Sequence, residues 1–122
     1  MMTFDQAGDL LDQIAEEFPP EFYRELNGGI ALLPEEKEDP ENPGLCIMGE
    51  YCNDEMGRYI RIYYGSFQSV CGDLDDDDLY EELYATLSHE FTHHLEALAG
   101  ERGLEIKDEE FMREYRKEKE EK

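Results

Sequence analysis

The sequence has few cysteines and no long apolar runs. Its three cysteines, Cys46, Cys52 and Cys71, are odd in number and show no C-x-x-C spacing. This pattern favours reduced thiols over a disulfide framework or a cysteine zinc site. No stretch approaches the roughly 18 consecutive apolar residues of a membrane span, and the acidic N-terminal segment lacks the basic and apolar regions of a signal peptide. We therefore expect a soluble, cytoplasmic protein.

Basic residues are also scarce. The chain carries 11 Lys and Arg against 33 Asp and Glu, a formal net charge of -22 over 122 residues. Such a charge argues against binding to nucleic acid phosphates or to anionic membranes, and it would repel acidic substrates. Part of it lies in the acidic run between Asp73 and Asp78, where carboxylates can cap the free N–H groups at the start of a following helix.

All three histidines of the chain lie in one segment, HEFTHH, which contains an H-E-x-x-H motif. On an α-helix His89 and His93 are about 40° and one turn apart, so both imidazoles can bind one zinc ion. Glu90 follows the first histidine and can accept a proton from a metal-activated water, which makes it the candidate general base. The alternative is that both histidines are ordinary surface residues.

The segment around the motif is amphipathic. Between residues 74 and 99, the apolar side chains fall within one arc of a helical wheel, as expected for a helix that faces a core. These residues are Leu79, Tyr80, Leu83, Leu87, Phe91, Leu95 and Leu98. His89 and His93 lie outside the arc and would face a cleft. His94 lies inside it, which favours a hydrogen-bonded core histidine over a ligand.

A catalytic zinc site needs a third protein ligand. Because the chain has no fourth histidine, we expect a carboxylate. Glu96 shares the face of the two histidines but lies a further turn along the helix. Gly100 and Gly103 can end the helix and turn the chain back, which favours Asp108 as the ligand, with Glu105 as the second candidate.

HEFTHH and the preceding segment IRIYYG resemble the small zincin-like metallopeptidases of bacteria, and the similarity extends from about Thr3 to Met112. The resemblance implies a minimal zincin fold with a zinc-dependent hydrolytic site. In that family a glycine and an aspartate closely follow the second histidine. Here Gly100 and Asp108 come several residues later, and Asp108 is the match for the family's aspartate.

The resemblance also implies a strand near the cleft that pairs with an extended peptide substrate. The segment from Ile60 to Gly65 is the candidate for this strand. The alternative is an ordinary core strand with Ile60, Ile62 and Tyr64 facing inward. Gly65 would allow close backbone approach or a bulge.

Together these patterns predict one α+β domain over residues 1–112 and a charged tail over residues 113–122. Its elements are an N-terminal helix over about 3–18, short strands within 30–33, 45–51 and 58–67, the long helix with the motif, and a C-terminal helix. The segment between the first two strands is expected to be an exposed loop.

The predicted function is that of a monomeric zinc metallopeptidase that cleaves peptides or unfolded proteins, with His89, His93 and Asp108 as zinc ligands and Glu90 as general base. Two alternatives remain. One is an inactive metal-binding scaffold, and the other is an acidic protein-interaction module in which the histidines are incidental.

Overall fold

The structure, a computed structural model, describes the backbone of residues 1–102 and the side chains of residues 1–100. The helices are α1 (Phe4–Glu16), α2 (Tyr64–Cys71) and α3 (Asp76–Arg102), with a short 3-10 helix at Pro20–Tyr23. The strands are β1 (Gly29–Leu33), β2 (Lys37–Glu38), β3 (Cys46–Ile47), β4 (Gly49–Asp54) and β5 (Gly57–Tyr63). The predicted α+β class is confirmed. The expected C-terminal helix, the charged tail and the ligand candidates Glu105 and Asp108 lie outside the described residues.

The strands form a three-stranded sheet and a separate two-stranded ribbon. The sheet has the order β1-β5-β4, with β1 parallel and β4 antiparallel to β5. The ribbon pairs β2 with β3. The strand predicted over residues 45–51 is therefore divided at Met48, because β3 pairs with β2 whereas β4 pairs with β5. The predicted loop before it contains β2, which is too short to leave a periodic pattern in the sequence.

The prediction that residues 60–65 form the substrate-pairing strand is wrong. Strand β5 has a neighbour on each side, so its backbone groups are already paired within the sheet. Ile60 and Ile62 are fully buried, as expected for an ordinary core strand. Among the described strands, β4 lies at the edge of the sheet nearest to α3.

Strand β5 also ends earlier than predicted. It was expected to continue to Phe67, but the chain becomes helical at Tyr64 and Tyr64–Cys71 forms α2. At Gly65 the N–H donates to the Glu35 carbonyl at 3.1 Å, and a Cβ there would lie 2.5 Å from the Glu35 carbonyl carbon. The predicted close backbone approach at Gly65 is confirmed, and it joins α2 to the segment leading into the ribbon.

Helix α3 begins where the acidic run predicts. Asp75 precedes it, and the Oδ1 atom of Asp75 accepts a hydrogen bond from the Asp78 N–H at 2.8 Å. The predicted apolar stripe faces the core: Leu79, Leu83, Leu87, Phe91, Leu95 and Leu98 are all at most 5% exposed, and Tyr80 is half-buried. This packing fixes the rotation of α3 about its axis and therefore the direction of its opposite face. Within residues 1–102, no helix is long and apolar enough to cross a membrane.

Candidate metal and hydrolytic site

His89 and His93 lie on the exposed face of α3, one helical turn apart. Their Nε2 atoms are 3.1 Å apart, and the two rings are nearly perpendicular, with centroids 4.6 Å from each other. Two nitrogens that each lie about 2.05 Å from a tetrahedral zinc ion are separated by roughly 3.3 Å. The pair therefore fits two adjacent positions of one zinc ion.

The third zinc ligand is not found in the part of the chain that the structure describes. No group of three or more His, Cys, Asp or Glu side chains converges on a common point within residues 1–100. Glu96 is exposed on α3 and does not complete such a group. The described residues thus provide two of the three predicted ligands, and the expectation for Asp108 stays a prediction.

Glu90 lies at the boundary between the cleft and the core and is only 5% exposed. Burial raises the pKa of its carboxyl group above the usual value, and the negative charge of Glu50 acts in the same direction. The neighbouring His93 and the backbone of Tyr51 act against this shift of the pKa. A carboxylate with a raised pKa is a better proton acceptor than a solvated one, as a general base requires.

The cleft lies between α3 and the segment that joins β3 to β4. One part of it, of about 590 Å³, is lined by both histidines, Glu90, Ile47, Gly49 and Tyr51, among others. A second part, of about 400 Å³, continues along α3 toward Thr86 and shares Ile47, Gly49, His89 and Glu90 with the first. The two parts form one open groove that runs along α3 past the histidine pair.

Gly49 allows β4 to lie this close to the helix. A Cβ atom at this position would be 2.8 Å from Cγ2 of Thr86 and 3.0 Å from Cδ1 of Ile62. Both distances are shorter than an ordinary van der Waals contact. Any larger residue would therefore push β4 away from α3 and change the width of the groove.

The edge of β4 presents backbone groups toward the groove. The Tyr63 N–H donates to the Met48 carbonyl at 2.9 Å, which makes Met48 and Tyr63 a hydrogen-bonded pair. Hydrogen-bonded and non-hydrogen-bonded pairs alternate along an antiparallel ladder. In the observed register, Gly49 and Tyr51 therefore direct their N–H and C=O groups away from β5.

His94 is a core residue, as predicted. It is fully buried, its Nε2 lies 2.8 Å from the Arg24 carbonyl oxygen, and its Nδ1 lies 2.9 Å from the Tyr51 hydroxyl. Burial lowers the pKa of His94, which favours the neutral ring. The carbonyl of Arg24 can only accept, so Nε2 carries the proton and Nδ1 accepts from Tyr51.

A charged cluster lies on the side of the sheet away from the buried isoleucines. Lys37 donates to both carboxylate oxygens of Glu50 at 2.9 and 3.1 Å, and the Tyr63 hydroxyl also donates to Glu50. Burial alone would raise the pKa of Glu50, but the hydrogen bonds from Tyr63 and Lys37 outweigh it and the pKa is lowered. Glu50 is therefore ionised, and it connects the ribbon to β4 beside the groove.

Sequence patterns did not identify Gly49, Glu50 or Tyr51 as site residues. These residues reach α3 only through the pairing of β4 with β5, which the local sequence does not encode. The single local signal is Gly49, since a glycine within a strand is typical of close approach by another part of the chain.

No family model and no curated protein matches this chain. Among solved structures, it is similar to a conserved hypothetical protein from the bacterium Thermus thermophilus. The two chains are 36% identical, the TM-score is 0.73, and the match covers 81% of this chain and 99% of the other. At this identity and coverage, the chain belongs to the same family as that Thermus protein.

Proposed function

We propose that this protein is a zinc-dependent peptidase of the minimal zincin type, acting in the cytoplasm on peptides or unfolded proteins. The observation that carries the proposal is the convergence of the His89 and His93 Nε2 atoms at 3.1 Å beside the buried Glu90 carboxylate. One rigid helix thus supplies two nitrogen donors and a base, which is the donor set of a hydrolytic zinc site.

Each residue has a distinct role in this proposal. His89 and His93 would hold zinc together with a carboxylate, for which Asp108 is the candidate. Bound zinc would acidify a water molecule and polarise the carbonyl of the scissile peptide bond. Glu90 accepts the proton from the attacking water and donates it to the leaving amine, and its raised pKa suits both transfers.

Substrate would bind in the groove as an extended strand. The outward N–H and C=O groups of Gly49 and Tyr51 can pair with a peptide backbone, while the groove continues past the histidines in both directions. Pairing of this kind requires an unfolded segment, which supports peptides and unfolded proteins as the substrate class. The proposed substrate-pairing strand is therefore β4, in place of the segment in β5 that the sequence suggested.

The test is cleavage of a mixture of unstructured peptides, followed by mass spectrometry, with zinc-loaded wild type and Glu90→Gln. We expect the wild type to cleave and Glu90→Gln to lose at least about a hundredfold in rate, because general-base catalysis typically contributes roughly 10² to 10⁴. Zinc content should be equal in both, since Glu90 is not a ligand.

Glu81→Gln is the matched control, because Glu81 is exposed on the same helix and does not line the groove. It should cleave at the wild-type rate. Zinc binding without cleavage in any variant would favour the inactive scaffold. A wild type that neither binds zinc nor cleaves would favour the acidic interaction module.

A further inference from the structure

Two exposed carboxylates on helix α3 lie beyond the two ends of the groove. Glu82 is one turn before Thr86, which lines the groove at one end. Glu96 directly precedes Ala97, which lines it at the other end. At 100° per residue, Glu82 and Glu96 are each within about 20° of His89 on the helical wheel. Both carboxylates therefore lie on the face of α3 that carries the histidine pair, one on each side of the pair.

The spacing of these carboxylates can be expressed in residues of a bound peptide. The midpoint of the pair His89 and His93 is nine residues after Glu82 and five residues before Glu96. At a rise of about 1.5 Å per helical residue, these separations are about 13 and 8 Å along α3. An extended peptide rises about 3.3 Å per residue, so they correspond to about four and two residues of a peptide that lies along the groove.

The carboxylates that line the groove itself are already engaged. Glu90 is the candidate base, and Glu50 forms an ion pair with Lys37 at 2.9 Å, with Arg61 at 3.9 Å from the same oxygen. Within residues 1–100, by contrast, neither Glu82 nor Glu96 forms an ion pair with a Lys or Arg side chain. In this part of the chain, both are available to a cation that a ligand supplies.

The charge of the whole chain acts in the same direction. A net charge of -22 attracts cationic peptides and repels acidic ones over a distance. The groove has no basic side chain to oppose this attraction, because none of the four Lys and Arg residues within residues 1–100 lines it. These residues are Arg24, Lys37, Arg58 and Arg61.

We propose that the groove binds a basic peptide in an extended conformation. Glu96 binds a Lys or Arg about two residues from the scissile bond, and Glu82 binds a second one about four residues from it on the other side. The inference rests on the proposed function for the position of the scissile bond, and it names the substrate class of the same site. Each contact is an exposed ion pair, which adds little affinity alone but specifies a position.

The experiment compares two unstructured peptides of equal charge in a fluorescence-anisotropy binding assay. One carries two lysines about six residues apart, the separation that matches Glu82 and Glu96, and the other carries the same two lysines side by side. The protein is Glu90→Gln with zinc in the buffer, so that cleavage does not interfere. We expect the spaced peptide to bind about threefold more tightly, because it forms one more exposed ion pair.

The same assay in three double variants assigns this difference to residues. Adding Glu82→Gln or Glu96→Gln should abolish it, because one carboxylate is then missing. Glu81→Gln is the matched control, since it removes the same charge from a different face of α3 and should keep the difference. The difference should also disappear at about 0.5 M salt, because exposed ion pairs are screened.

Equal binding of the two peptides would overturn the inference, and so would a difference that Glu81→Gln abolishes as completely as Glu82→Gln, since net charge alone would then explain it. With the wild type, cleavage of the spaced peptide between its lysines, about two residues from one of them, would support it. A wild type that cleaves neither peptide would refute the proposed function, and the binding comparison would still decide whether the groove selects basic peptides.

Discussion

At the scale of single residues, the burial of Glu90 suits the proposed role as a base but lowers the stability of the folded protein when the carboxyl group is ionised. Its carboxyl group is almost fully buried, and desolvation raises its pKa. The ionised form needed to accept a proton is therefore the form that the folded protein disfavours. Such a conflict between stability and chemistry is typical of functional positions and not of ordinary surface carboxylates.

This conflict predicts that zinc-free Glu90→Gln is more stable than the wild type at neutral pH. A group whose pKa is raised on folding contributes stability below its unfolded value, near 4.5, and that contribution is lost as the pH rises through the folded value. The melting temperature of Glu90→Gln should exceed that of the wild type at pH 7 in EDTA, and the difference should vanish near pH 4. Glu81→Gln corrects for the change in net charge, and a lower melting temperature for Glu90→Gln at pH 7 would contradict the account.

At the scale of secondary-structure elements, the site depends on how close β4 lies to α3. The groove has α3 on one side and β4 on the other, and the lack of a side chain at Gly49 allows their close contact, because a Cβ atom there would lie 2.8 Å from Cγ2 of Thr86. No ligand side chain is involved in this contact. The width of the groove is therefore a property of the packing between two elements.

We predict that Gly49→Ala destabilises the protein by about 1–3 kcal/mol, because the new methyl group would overlap with Thr86 and Ile62. Thr86→Ser removes the Cγ2 atom and should restore part of the loss in the double variant. Gly8→Ala is the control: its Cβ would meet nothing nearer than 3.9 Å inside α1, so helix propensity should make it more stable by about 0.5–1 kcal/mol. Urea unfolding gives the free energy of unfolding of the wild type, Gly49→Ala, the double variant and Gly8→Ala. Equal free energies for Gly49→Ala and the wild type would contradict this close packing of β4 on α3.

The elements also show what the sequence could and could not predict. The long helix was predictable because its apolar stripe repeats over seven positions, and the stripe also placed His94 in the core. The position of β5 at the centre of the sheet was not predictable, because strand order depends on pairing between segments that are distant in the chain. The end of β5 at Tyr63 is not predictable locally, because tyrosine is common in strands and Tyr64 gives no signal of a helix start. The close approach of Gly65 to the Glu35 backbone, where the chain is already helical, depends on a segment distant in the sequence.

At the scale of the whole molecule, the net charge of -22 is the dominant property. Repulsion among so many carboxylates opposes the compact state and favours the binding of cations. Acidity alone would attract divalent cations weakly and without a fixed site. A zinc ion bound by the two histidine nitrogens and one carboxylate, as proposed, would instead occupy a single fixed site.

The most direct measurement is therefore the zinc content of the purified, untagged protein by elemental analysis, after dialysis against zinc-free buffer at moderate salt. We expect close to one zinc per chain in the wild type and in Glu90→Gln, and loss of zinc in His93→Ala and Asp108→Ala. Zinc retained in Asp108→Ala but lost in Glu105→Ala would reassign the third ligand. No zinc in the wild type after reconstitution, or equal zinc in the wild type and His93→Ala, would contradict the account.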